Sequence, residues 1–138
     1  MESLMDMIKR HEGFRNFPYK DTVGKLTIGF GRNLDDVGIS EGEAQIMLVN
    51  DINNAIEDLT KVLPAAGTYG DNRFDALVDM MFNLGMVKFK RFKKMLAALR
   101  VLDFKKAAEE MLDSKWATQV GYRANDLAYM MEFNKQGV

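Results

Sequence analysis

Apolar residues recur at helical spacing at the start of the chain. Leu4 and Ile8 fall on one face of a predicted helix. Ser3 is a favourable N-cap, because its hydroxyl can accept a hydrogen bond from the first helical turn. Gly13 is suited to a helix C-terminus. The pattern therefore predicts a first helix that ends near Glu12.

The hydrophobic period then changes. Residues 17–31 read FPYKDTVGKLTIGFG, which predicts two short strands around a turn. Pro18 cannot donate to a strand ladder, so it belongs at the start or edge of a sheet, and Gly24 suits the turn. Gly29 and Gly31 are typical of positions where another part of the chain approaches the backbone closely. We expect a small β-lobe here and no other β-structure.

A long helix is predicted to follow. Ser40 and Glu43 have the spacing of a capping box at its start, and Pro64 with Gly67 ends it. One apolar face runs along it, formed by Ala44, Leu48, Ile52, Ile56, Leu59 and Leu63.

The rest of the chain is predicted to be helical as well. A segment capped by Asp71 or Asn72 and running through Gly85 is apolar on most faces, which is typical of a buried central helix. Trp116 stands between the last two of three shorter predicted helices, at residues 89–100, 103–114 and 121–134.

These elements predict an α+β fold with an N-terminal helix, a small β-hairpin lobe and a mainly helical C-terminal body. A length of 138 residues fits one domain. We expect residues 12–39 to form the β-lobe, and 1–11 with 40–138 to form the helical body.

Composition excludes several kinds of chemistry. The chain has no cysteine, so disulfides and thiolate chemistry are excluded, and His11 is its only histidine. We therefore expect neither a metal site nor a cofactor. The first residues contain no long apolar run, so we expect no signal peptide, no stable membrane insertion, and a cytoplasmic location until lysis.

Charge is distributed unevenly. The net charge is −1, yet residues 1–85 hold 8 Lys/Arg against 14 Asp/Glu, and residues 86–138 hold 11 against 6. The segment 88–94, KFKRFKK, should turn its cations outward. Ordinary solvated helix faces would explain this pattern, and so would a basic patch facing the cell wall. The overall charge does not support nucleic-acid binding.

Three polar residues are candidates for glycoside hydrolysis. Glu12 is predicted at a helix end, Asp21 at the hairpin turn and Thr27 on the returning strand. The reaction needs one protonated and one ionised carboxyl group. Glu12 lies between Ile8 and Phe14 in sequence, so we expect partial burial to raise its pKa, while the polar turn keeps Asp21 ionised. Thr27 offers a hydroxyl that can hold the attacking water.

Each candidate also has an ordinary structural explanation. A Glu at a helix C-terminus is usually just solvated, and an Asp before a turn usually stabilises that turn. A Thr in a strand is usually present for its branched side chain. No one of the three residues predicts catalysis alone.

Two segments resemble a known family. IKRHEGF and YKDTVGKLTIGFG are similar to the phage-type lysozymes, glycoside hydrolase family 24. That family's catalytic set is the Glu of "EG", the Asp of "Y-x-D-x-x-G" and the Thr of "TIG-x-G", which correspond to Glu12, Asp21 and Thr27. ISEGEAQIML, MMFNLG and the stretch DFKKAAEEMLDSKW extend the resemblance over nearly the whole chain, which implies a lysozyme-like fold.

The resemblance implies an activity. The enzyme would be a lysozyme (an N-acetylmuramidase and endolysin) that cuts the β-1,4 bond between N-acetylmuramic acid and N-acetylglucosamine with inversion. Glu12 would be the general acid, while Asp21 and Thr27 would position and activate water. An inverting enzyme separates its carboxyl groups by about 6.5–9.5 Å, against about 5–5.5 Å in a retaining one.

The resemblance also implies substrate-binding residues. Arg123 in GYRAN matches an arginine that reaches the catalytic Glu in the family. The other implied positions are Arg32, Asn33, Phe82, Asn83 and Met95. Core packing is the alternative explanation for Phe82 and Met95.

The expected partner is the glycan strand of peptidoglycan. The family analogy implies release through a separate holin-type pore, and we expect a monomer. A non-catalytic glycan-binding module and a helical structural protein are the competing interpretations. The three-residue set favours the enzyme, because a binding module has no need of it.

Overall fold

The structure, a computed structural model, describes residues 1–136 of the chain. Its contacts divide the chain into two compact units, Met1–Met47 and Leu48–Val138. The single-domain organisation expected from the length stays a prediction.

The first unit begins with the expected helix. Helix α1 spans Leu4–Glu12. The hydroxyl of Ser3 accepts a hydrogen bond from the backbone N–H of Asp6 at 3.1 Å, as an N-cap should. No residue of α1 is buried, so its apolar face is exposed.

A three-stranded antiparallel sheet follows, with β1 (Arg15–Lys20), β2 (Leu26–Gly29) and β3 (Arg32–Asn33) in that order. Pro18 lies on the edge strand β1, as predicted, in a stretch where the register of β1 on β2 shifts. The short third strand was not predicted, because two residues give no readable alternation.

Helix α2 spans Glu41–Val62. The backbone N–H of Ser40 donates to Glu43 at 2.9 Å, and that of Glu43 donates to the Ser40 hydroxyl at 3.1 Å, which confirms the predicted capping box. The predicted apolar face is buried over only part of its length. Leu48 and Ile52 are exposed, and within α2 burial begins at Ala55.

The second unit is helical. A short 3₁₀ turn at Ala66–Thr68 precedes α3. Its helices are α3 (Asp71–Phe89), α4 (Lys93–Arg100), α5 (Phe104–Leu112), α6 (Lys115–Val120) and α7 (Tyr122–Phe133).

Two details differ from the sequence-based expectation, namely the cap of α3 and the position of Trp116. Gly70, rather than Asp71 or Asn72, is the N-cap of α3. The predicted segment runs through Gly85, and the helical path is indeed interrupted there, with a non-helical φ of 76° and ψ of 166°, before the last turn of α3. Trp116 lies inside the unpredicted helix α6, whose six residues are too few to show a period.

The core of the second unit lies between α3, α4, α5 and α7. Methionine contributes much of it, as expected for an unbranched side chain that fills irregular gaps. The methionines buried there are Met80, Met81, Met95, Met111 and Met131.

An arginine closes the end of α7. The guanidinium of Arg73 donates to the carbonyls of Met131 at 2.7 Å and Glu132 at 2.9 Å, and it lies 3.9 Å from the centre of the Phe104 ring. These carbonyls belong to the last helical turn and have no partner within the helix. The contact therefore ties α3 to α5 and α7. Among the residues that the structure describes, no helix is both long and apolar enough to cross a bilayer.

Candidate active site

Glu12 is the last residue of α1, and Gly13 turns the chain away from the helix. Gly13 has a φ of 70°, and its N–H donates to the carbonyl of Lys9 at 2.8 Å. The Glu12 carboxyl lies against the turn between β2 and β3. A Cβ atom built on Gly31 would lie 2.5 Å from Oε2 of Glu12 and 2.7 Å from its Cδ. The backbone at residue 31 can approach this carboxyl so closely only because it carries no side chain.

Aromatic contacts join the end of α1 to the same turn. The ring centres of Phe14 and Phe30 are 5.3 Å apart, and the ammonium of Lys9 lies 5.4 Å from the centre of the Phe30 ring. Glu12 itself is exposed, as are Ile8 and Phe14. The expectation that these neighbours partly bury Glu12 is therefore wrong, because no residue of α1 is buried.

Asp21 organises the turn between β1 and β2. Its Oδ1 accepts hydrogen bonds from the backbone N–H groups of Val23 at 3.0 Å and Lys25 at 2.8 Å. The main chain of the turn is closed as well, since Asp21 N–H donates to the Lys25 carbonyl at 2.9 Å. The ordinary structural role of an Asp before a turn is therefore present. Within residues 1–136, the second oxygen, Oδ2, accepts no hydrogen bond.

Thr27 is the buried polar residue of this region. Only 4% of its surface is exposed, and no other polar side chain among residues 1–136 is classed as buried. Its hydroxyl donates to the carbonyl of Lys25 at 2.9 Å. Because the hydroxyl hydrogen is engaged, Oγ1 is left to act as an acceptor.

The first unit therefore carries all three candidates of the expected catalytic set. Glu12 lies against the β2–β3 turn, Asp21 lies in the β1–β2 turn, and Thr27 lies on β2, the strand that joins these two turns. The backbone carbonyl of Lys25 accepts from the Thr27 hydroxyl, and its N–H donates to Asp21. Lys25 therefore links the two side chains.

Arg32 binds within the first unit. Its guanidinium meets both carboxylate oxygens of Glu43 and donates to the Gly38 carbonyl at 3.0 Å. The hydrogen bonds from Arg32 are the main reason that the pKa of Glu43 is lowered from 4.5 to about 2, and the bonds from Ser40 lower it further. Arg32 thus joins β3 to the start of α2.

Asn33 is also engaged within this unit. Its amide N–H donates to Asp36 at 3.0 Å, and its amide oxygen accepts from the Asp36 backbone N–H at 3.0 Å. The polar ends of Arg32 and Asn33 therefore already have partners, and a substrate would have to share or displace them.

In the second unit, Arg123 pairs with Asp79 on α3, with its Nη2 2.6 Å from Oδ1. Both line a cavity of about 320 Å³ together with Phe82, which is exposed. The resemblance implied Glu12 as the partner of Arg123, and sequence reasoning did not single out Asp79. The available signal was the acidic residue Asp79, which directly precedes the motif MMFNLG.

Of the other two predicted binding residues, Asn83 is exposed and Met95 is buried. Asn83 accepts a hydrogen bond from the indole N–H of Trp116 at 2.7 Å. Met95 has 0% exposure, so it offers no surface to a substrate in this conformation, and the core interpretation describes it better. Among residues 1–136, no group of three or more His, Asp and Glu side chains is arranged to hold a metal ion.

Known proteins match this chain over most of its length. The family model described as "Phage lysozyme" matches residues 9–129 of the chain. A "Probable T4-type lysozyme 2" from Dictyostelium discoideum is 29% identical over 96% of this chain and 95% of its own length.

Two phage proteins are similar as well. An "Endolysin" from Acyrthosiphon pisum secondary endosymbiont phage 1 is 32% identical over 84% of this chain and 78% of its own length. The "Pre-baseplate central spike protein Gp5" of Enterobacteria phage T4 is 28% identical over 89% of this chain, which corresponds to 26% of that longer protein.

The pair between Arg32 and Glu43 predicts a pH dependence. A carboxyl whose pKa is lowered on folding adds stability above its unfolded value of 4.5, and this contribution is lost as pH falls through about 2. In Arg32→Gln we expect the pKa of Glu43 to rise toward 4.5, while the bonds from Ser40 keep it somewhat lower. A ¹³C NMR titration of the carboxyl carbon measures this pKa directly. Arg15→Gln is the control, and an ordinary Glu43 pKa in the wild type would refute the pair.

The close approach at Gly31 predicts a selective defect. Gly31→Ala places a methyl group against the Glu12 carboxyl and strains a backbone with a φ of 78°. Gly38→Ala has the same kind of strain, with a φ of 64°, but its added methyl meets nothing within 4 Å. We expect Gly31→Ala to lower kcat on peptidoglycan at least tenfold and Gly38→Ala to change it less than twofold. Equal losses in the two variants would mean that backbone strain, and not displacement of Glu12, is responsible.

Proposed function

The chain belongs to the phage lysozyme family, as a glycoside hydrolase that acts on peptidoglycan, and from that premise we propose how its first unit carries out the reaction. The bond cut is the β-1,4 link between N-acetylmuramic acid and N-acetylglucosamine. Glu12 is the general acid, Asp21 is the general base, and Thr27 holds the attacking water. The anomeric centre is inverted.

The observation that carries this proposal is that Asp21 and Thr27 each have a side-chain oxygen left to accept a hydrogen bond. Oδ1 of Asp21 is occupied by two backbone N–H groups, which leaves Oδ2 available to take a proton. Oγ1 of Thr27 gives its hydrogen to a carbonyl and is left as an acceptor. A water molecule has two hydrogens to donate. With one directed to each of these oxygens, a lone pair of the water is directed at the sugar.

The step balances as a single displacement. The water oxygen forms a bond to the anomeric carbon while Oδ2 of Asp21 takes one of its protons. The bond from that carbon to the bridging oxygen breaks, and the leaving oxygen takes the proton of the Glu12 carboxyl. One sugar leaves with a new hydroxyl of inverted configuration. Glu12 is then ionised and Asp21 protonated, and exchange with solvent restores both.

Glu12 must be protonated when the substrate is bound. Its side chain is exposed in the free protein, so a glycan strand that covers it would exclude water from a carboxyl already packed against the Gly31 backbone. Removal of water disfavours the charged form of a carboxyl group, so binding itself supports the acid role. An inverting displacement leaves room for water between the carboxyl groups, at a separation of about 6.5–9.5 Å.

Two further proposals concern the oligomeric state of the protein and its access to the wall. We propose that the protein acts as a monomer, and that a separate holin-type pore gives it access to the wall when the cell is lysed. The family analogy supports the pore, and a monomer is the default expectation for a chain of this size.

Glu12→Gln tests the hydrolase and the acid. The amide keeps the shape of the side chain and cannot give a proton, so we expect the loss of turbidity of a peptidoglycan suspension to fall at least a thousandfold. Glu57→Gln, at an exposed position of α2, is the matched control and should retain activity. ¹H NMR of the first product should show the α-anomer. A β-anomer formed first would refute inversion, and a wild type that binds glycan without cutting it would favour the binding module.

Substitutions of Thr27 test whether its hydroxyl holds the attacking water. Thr27→Val keeps the branched shape and removes the acceptor, so we expect kcat to fall about 10- to 100-fold with KM nearly unchanged, as for a lost transition-state interaction. Thr27→Ser keeps the hydroxyl and should restore most of the rate. Equal activity of the Val and Ser variants would show that the hydroxyl takes no part.

A further inference from the structure

A second concave surface lies in the second unit, away from Glu12, Asp21 and Thr27 in sequence. It has a volume of about 700 Å³, and it is formed where the end of α3 and the start of α4 meet α5 and α6. Five cations line it. We call this surface the basic groove, and its cations are Lys88, Arg91, Lys93, Lys94 and Lys115.

These charges are available to a ligand. All five side chains are exposed, and none has an ion-pair partner within residues 1–136. Two carboxylates also line the groove, but Glu110 is already paired with Lys106 at 3.1 Å. Asp113 is therefore the one lining carboxylate without a cation partner in the described part of the chain. Five cations facing one such acid make a concentrated positive field.

The floor of the groove favours one kind of polyanion. Trp116 is 5% exposed, its indole N–H is bonded to Asn83, and the half-buried ring of Phe92 meets it edge-on at 6.0 Å. Single-stranded nucleic acid is usually bound by aromatic faces on which bases stack, and these rings are too covered to provide one. They are also too covered to enter a bilayer. A flexible polyanion without bases or acyl chains fits better.

We propose that the basic groove binds a phosphodiester-linked polyol polymer of the bacterial cell wall. Repeated phosphates along a flexible chain match several cations spread over one groove, and arginine and lysine both bind phosphate well. The choice of a wall polymer rests on the proposed function, which brings the protein to the wall. The groove would thus hold the enzyme on its insoluble substrate through a component that it does not cut.

Binding can be followed through Trp116, the only tryptophan of the chain. Poly(glycerol phosphate) is titrated into the full chain at low and high salt, and fluorescence gives Kd. We expect saturable binding that weakens steeply with salt. Lys93→Gln with Lys94→Gln should raise Kd at least fivefold. The matched control, Lys61→Gln with Lys105→Gln, removes the same charge outside the groove and should change Kd less than twofold.

Several results would overturn the proposal. Equal weakening in the two double variants would mean that only net charge matters. If single-stranded DNA or polyglutamate of the same charge bound as tightly as poly(glycerol phosphate), the groove would not be specific for a polyol phosphate. Binding to anionic phospholipid vesicles but not to the polymer would indicate a membrane surface instead.

The test is independent of catalysis. Glu12→Gln should bind the polymer with the wild-type Kd, and the groove variant should hydrolyse polymer-free peptidoglycan at the wild-type rate. Hydrolysis without polymer binding would refute the groove alone. Polymer binding without hydrolysis by the wild type would refute the proposed function alone.

Discussion

The candidate active site depends on a set of hydrogen bonds between side chains and backbone in the turn that begins at Asp21. The carboxylate of Asp21 gathers the N–H groups of Val23 and Lys25, and Thr27 donates to the carbonyl of the same lysine. Turn shape and oxygen orientation are therefore fixed by the same bonds. The structural role of Asp21 does not compete with the proposed catalytic role, because the turn uses Oδ1 and the proposal uses Oδ2.

Much of the fold could be predicted from short-range chemistry. Ser3 and the capping box of Ser40 with Glu43 identified two helix starts, and the apolar period identified most helical segments. The places where prediction failed lack such signals. Helix α6 is too short to show a period. The spacing of Leu48 and Ile52 identified an apolar helix face, but spacing does not tell which part of such a face is covered, and both residues are exposed.

The site was only partly predictable for the same reason. The sequence placed Glu12, Asp21 and Thr27 on consecutive elements, because each lies in or beside an element that short-range sequence signals predict. Partners far apart in sequence were not foreseen. The pairing of Arg123 with Asp79 joins residues of two helices, and that of Arg32 with Glu43 joins a strand to a helix. A pattern along the chain contains no information on which oppositely charged groups will meet.

The bonds that orient Asp21 and the Thr27 hydroxyl join only residues of the stretch 21–27. The contacts from this stretch to later residues are made by Lys25, Leu26 and the strand pairing of Thr27. Such a segment can be inherited as one piece. Insertions or losses elsewhere, such as a shorter connection before α2, would leave its oxygens oriented as before. The geometry of this hairpin can therefore be kept while the remainder of the molecule diverges.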